Sequence, residues 1–182
     1  MTSHRLSPPY VECVTVLLTL LSTALTPVVL QEPAQLCHDD RKPIACPLPC
    51  YCGAPDYRSV RCDAGGLRSV PASVWSVVPL SLNFSFNNVA EWTHIDVASA
   101  DDEHVACLGT LILDHSGIVR LRPRAFERLR GLRQLRLHHN RISTLQTAAF
   151  VGLRRLELLD LSHNELVALP RSLFDELSQL KV

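Results

Sequence analysis

The sequence predicts an α/β repeat solenoid built on short parallel strands, and three observations predict it. Three successive blocks between Leu108 and Leu177 place the same residue types in the same slots with a period of 24. Within each block a Leu-x-Leu pair alternates with period two, so Leu135 and Leu137 face one way while Gln134 and Arg136 face the other. An asparagine then recurs where the chain must turn back, at Asn140 and Asn164.

The first block reads Leu108, Leu111, Leu113, Ser116, Ile118, Leu121, Ala125, Phe126, Leu129. The second is Leu132, Leu135, Leu137, Asn140, Ile142, Leu145, Ala149, Phe150, Leu153, and the third Leu156, Leu159, Leu161, Asn164, Leu166, Leu169, Leu173, Phe174, Leu177. Only Ser116 and Leu173 depart from their columns. This pattern resembles the extracellular leucine-rich repeat family in its 24-residue variety. The resemblance implies strands on a concave face, an irregular or 3-10 convex side, and non-enzymatic protein binding on the concave face. One repeat alone buries too little to offset the entropy of ordering it, so neighbours and end caps are needed. The asparagines are expected to form a buried, mutually satisfying column, and the phenylalanines to close the far side of each coil.

Taken in order, residues 1–30 read as a targeting segment: His4 and Arg5 precede an apolar run from Val11 to Leu30, and Ser22-Thr23-Ala24 offers a cleavage site. A cleaved secretory signal and a retained signal anchor both fit, since Val14 to Leu30 is at the lower margin for a membrane span. Either places the rest in an oxidising compartment, secreted or at the cell surface. Residues 31–45 form a polar leader. Residues 46–78 hold Cys46, Cys50, Cys52 and Cys62, whose spacing resembles the N-terminal cysteine cap of the same family. That resemblance implies the pairs Cys46 with Cys52 and Cys50 with Cys62. Zinc is the competing chemistry, disfavoured because Cys50 and Cys52 are only one residue apart. Cys37 and Cys107 are left over, to bond each other or to reach another chain.

Residues 79–182 are the repeats. Leu82, Phe84, Asn87 and Val89 fill the slots of a first coil five residues longer than the others. The excess is placed between Trp92 and Ala106, as a loop bulging from the stack. The chain stops at Leu180-Lys181-Val182 without a C-terminal cysteine cap, which suggests a fragment of a longer receptor or matrix protein.

Formal net charge is zero, so nothing steers the whole chain toward nucleic acid or membrane, and neither is expected as a partner beyond the signal segment or a missing span. Ten arginines nevertheless lie between Arg120 and Arg155 with one acid, Glu127. They fit solvent-facing slots between leucines, or a basic band for sulfated glycans.

The outward strand slots form the candidate panel for a protein ligand: Asn83, Ser85 and Phe86; Asp114 and His115; Arg136, His138 and His139; Asp160, Ser162 and His163. His115, His139 and His163 share a column, which raises zinc binding or pH sensing. The stronger reading is a filling of the slot before the asparagine with nitrogens that need not converge, so no metal and no cofactor is expected. Asp160, Ser162 and His163 include the residue types of a hydrolase triad, but adjacent side chains on a strand point to opposite faces, so no catalytic residue is assigned. Asn83-Phe84-Ser85 is an N-glycosylation sequon. A regulatory subunit or inhibitor of an extracellular enzyme is the alternative function.

Overall fold

The computed structural model describes residues 37, 46–53, 58–93 and 102–181, all within the compact unit Gln31–Val182. The targeting segment, Cys13 and nearly all of the leader lie outside the described residues.

Strands β1 (Tyr51–Gly53) and β2 (Ser59–Arg61) pair antiparallel; from β2 onward every step is parallel, through β3 (Ser81–Asn83), β5 (Thr110–Ile112), β7 (Gln134–Arg136) and β8 (Leu158–Asp160). The register sets Leu82 opposite Leu111, Leu111 opposite Leu135, and Leu135 opposite Leu159, so each repeat adds one strand to a single sheet. The chain is an α/β repeat solenoid, each coil contributing one short parallel strand. A second, two-stranded sheet joins β4 (Glu91–Trp92) to β6 (Arg120–Leu121). The later convex turns are held by i to i+3 bonds of 3-10 type, as from Leu129 N to Phe126 O.

The repeating apolar slots are the core. Leu82, Leu111, Leu113, Ile118, Leu132, Leu135, Leu137 and Ile142 are fully buried. Rings line the far side in one stack: Trp92 on Phe126 at 6.1 Å, Phe126 on Phe150 at 6.3 Å, Phe150 on Phe174 at 6.5 Å. Phe126 and Phe150 are buried, whereas Phe174 is part exposed, and Val167 and Leu169 are exposed. Trp92 heads the stack although it was placed only at the edge of the long loop.

The cap is confirmed by Cys46–Cys52 and Cys50–Cys62 disulfides, and Cys37 bonds Cys107. Arg58 is buried there, its guanidinium donating to Val78 O and Cys37 O. The long first coil differs from the expected bulge at its C-terminal end. Short helix α1 (Asp102–Val105) drives Val105 fully into the core, and the carbonyl of Ala106 lies so close to Gly131 that a Cβ there would sit 1.9 Å from it. Residues 94–101, the rest of the expected loop, lie outside the described residues. Among the described residues no helix is long and apolar enough to cross a membrane.

The asparagine column corrects one expectation: its members bond backbone, not one another. Asn140 Nδ2 donates to Leu137 O in its own coil at 2.8 Å and to Leu113 O in the coil before at 2.9 Å, while its Oδ1 accepts from Ser116 N and Ile118 N, both at 3.0 Å. Asn164 repeats this with Leu161 O, Leu137 O and Ile142 N, and Asn87 with Phe84 O, Cys62 O and Leu67 N. Each amide thus satisfies groups that two coils have left out of the strand ladder. Ser116 lacks the reach: its Oγ donates to Phe84 O at 3.1 Å, and its backbone O takes over acceptance from Val89 N.

Asn140→Ala should therefore cost about 3 kcal/mol, since four partners lose their bond and each buried orphan costs ~1–3 kcal/mol before water or relaxation relieves it. Asn164→Ala, at a half-buried site, should cost about half as much. Urea denaturation of both variants checks the order; equal losses, or a loss below about 1 kcal/mol for Asn140→Ala, would contradict it.

Candidate functional site

The outward side chains of β3, β5, β7 and β8 and the residues just after them lie on one face. Strand alternation governs only its first part. At Phe86, His115, His139 and His163 the backbone turns left-handed, with φ of 58°, 54°, 53° and 53°, and Ala64 of the cap adopts the same turn at 59°. Their amides still join the stack, Phe86 N to Asp114 O, His115 N to His138 O and His139 N to Ser162 O. Histidine tolerates this region several-fold better than most residues, which accounts for three of the four without any ligand.

Because the turn ends the alternation, neighbours in sequence are no longer sent to opposite faces. His138 and His139 lie side by side, ring centroids 4.1 Å apart. Phe86 stacks on His115 at 4.6 Å, His115 lies against His139 at 4.4 Å, and His139 stacks on His163 at 4.2 Å. The result is a ribbon of rings along the solenoid, with Phe86 57% exposed at one end. The column His115, His139 and His163 does not itself gather its nitrogens into one group; instead one ligand atom from each of His115, His138 and His139 lies within 4.8 Å of the others, a different trio from the column read in the sequence.

The neighbouring column holds Ser85, Asp114, His138 and Ser162. Ser85 is buried, its hydroxymethyl too short to emerge beside the Phe86 ring, so it drops out of the panel. Asn83 is half-buried and its Oδ1 accepts from Ser85 N at 3.0 Å. Asp114 uses Oδ1 to accept from His138 N at 3.0 Å, which ties the second coil to the third. Asp160 accepts from Ser162 Oγ at 2.6 Å, and Ser162 Oγ lies 3.2 Å from His138 Nδ1. That hydrogen bond first, with Ser162 N, His138 and Arg136 behind it, holds the Asp160 carboxyl below its ordinary range against its partial burial. The order is acid, serine, imidazole; a hydrolase relay needs the imidazole between acid and serine. Arg136, His139, Ser162 and His163 are exposed. Loss of surrounding water, then repulsion from His138, His163 and His115, lowers the pKa of His139 against a small opposing pull from Asp114.

The arginine band is partly neutralised. Arg122 pairs with Glu91 at 2.8 Å, Arg124 with Glu127 at 3.0 Å and Arg133 with Glu157 at 2.7 Å. Glu157 also meets Lys181, so one carboxylate bridges three successive coils beside the strand starts.

Family models support the architecture. "Leucine rich repeat" matches residues 108–166 and "Leucine Rich Repeat" residues 155–180. No curated protein matches the chain closely in sequence. Among solved structures, a TLR13–ssRNA13 complex is similar with a TM-score of 0.61 and 24% identity over 72% of this chain and 18% of that one. Human 5T4 (Wnt-activated inhibitory factor 1, trophoblast glycoprotein) gives 0.58 and 24% over 78% of this chain and 62% of that one. The Drosophila Toll–Spatzle complex gives 0.56 and 21% over 63% and 15%. The chain spans less than two thirds of each, and at these identities the likeness is one of fold. One of them was solved with single-stranded RNA, so the expectation that nucleic acid is no partner finds no support there.

Hydrogen bonds from Lys181, then from Arg133, hold the Glu157 carboxyl below its usual 4.5. A carboxyl depressed on folding contributes stability above its unfolded pKa and loses it as pH falls through the folded value. Glu157→Gln should thus lower Tm at pH 7 and converge with the parent chain once the pH has fallen below the depressed pKa of Glu157; a gap that persists after the carboxyl is protonated would contradict the bridge.

Proposed function

We propose that this leucine-rich repeat solenoid, closed by its disulfide cap, is a non-enzymatic extracellular module that docks a protein ligand on the sheet face. The observation that supports this most is the exposed ribbon from Phe86 through His115 and His139 to His163, flanked by Arg136. An apolar ring, edge-exposed imidazoles and a guanidinium on one firm surface supply the anchor chemistry of protein interfaces. The side chains are held by stacking and by backbone bonds between coils, so docking freezes little that is not already ordered. A glycan on Asn83 would border the Phe86 end of this panel. Three disulfides and the targeting segment favour a secreted or cell-surface location.

The test is a binding screen of the protein, fused to a bivalent tag, against an array of extracellular proteins. For any ligand found, Phe86→Ala, Arg136→Ala and His139→Ala together should weaken binding by about 100-fold, while Arg124→Ala with Arg154→Ala on other surfaces leaves it intact. Binding that survives the triple change would refute the face. Heparin and single-stranded RNA columns run in parallel separate polyanion binding: retention of the parent chain, lost on changing the arginines, would favour the basic band instead.

A further inference from the structure

We propose that His115, His138 and His139 form a site for a divalent transition metal ion of the zinc class on the sheet face. The three candidate ligand atoms already lie within 4.8 Å of one another. A tetrahedral ion with metal–nitrogen bonds of about 2.1 Å sets its ligands about 3.4 Å apart, so closing the site needs at most about 1.4 Å, within reach of ring rotation at the exposed His115 and His139 around the half-buried His138. Three imidazoles leave one position of the tetrahedron open to water or to a group from outside.

The requirements of the fold do not account for this trio. A left-handed slot explains His115 and His139, but His138 occupies an ordinary slot that Ser85, Asp114 and Ser162 fill in the other coils. His138 is also the residue whose orientation is built. Ser162 Oγ lies 2.6 Å from the Asp160 carboxylate, to which its single hydrogen is donated. The hydroxyl can then only accept from His138, at 3.2 Å, so the imidazole carries its proton on Nδ1 and presents the lone pair of Nε2. Metal-binding histidines are held in one tautomer by an acceptor on the remote nitrogen, and here the Ser162 hydroxyl, backed by the Asp160 carboxylate, fills that place. Asp114 fixes the His138 backbone from the preceding coil. His163 stacks on the outer side of His139, outside the trio.

Zinc titrated into the full chain after chelator treatment, followed by calorimetry at pH 7.5, tests the site. One ion per chain is expected, with affinity about 30-fold or more weaker in His138→Asn, about 10- to 100-fold weaker in Ser162→Ala, and within about threefold of the parent in His163→Asn. Circular dichroism melts confirm that each variant folds. Co2+ as the probe should broaden the ring NMR signals of His115, His138 and His139 first, a readout that needs no variant. Heat no greater than blank overturns the proposal. So does zinc binding that is unchanged in His138→Asn, or broadening centred on other histidines, because the ion is then held by groups outside the trio.

Discussion

A turn that leaves a strand strands backbone groups, and in this protein asparagine amides recover them across coils. Asn140 alone joins two carbonyls and two amides belonging to its own coil and the one before. Because those partners recur at the same place in each coil, the amide fits only when the coils stack in register. The buried leucines supply most of the driving force, but they are interchangeable oily contacts and would tolerate slippage. Directional bonds at each turn do not. The parallel register from β2 to β8, and the alignment of every side chain on the sheet face, depend on them.

The same turn decides what the face presents. Left-handed backbone one residue before each asparagine halts the in-and-out alternation and leaves two consecutive side chains on one side. That is why Asp114 and His115, or His138 and His139, share a surface, and why a ribbon of stacked rings runs beside a second column of shorter polar groups. Two sources of order are thus superposed. Histidine at the left-handed slot serves the backbone, while Phe86 and His138 occupy places where the fold asks for neither and so speak more directly to function.

Much of this was legible in the chain itself. The rows led by Leu111, Leu135 and Leu137 are buried as their spacing requires, and the resemblance in the cap gave its two disulfides. Cys37 with Cys107, left open by the residues, closes as a bond. Less legible was anything set by a dihedral angle or by a neighbour far along the chain. Period two cannot show where φ changes sign, so the panel rightly holds both His138 and His139 but wrongly includes Ser85, which is buried. Trp92 belongs to the phenylalanine stack because β4 pairs with β6, a contact with no local signal. Val105 enters the core through a four-residue helix too short to read as a period. A column reading of Asp114, His138 and Ser162 beside the histidines would have been the one available clue to the relay onto His138.

Native-state hydrogen exchange on the full chain tests the central claim most directly. If asparagine amides clamp coil to coil, the amides of Ser116, Ile118 and Ile142, which have no strand partner, exchange only in the same cooperative opening as the strand amides of Leu111 and Leu135. Rapid exchange of those turn amides while the strands stay protected would contradict it, leaving the leucine rows alone to hold the solenoid in register.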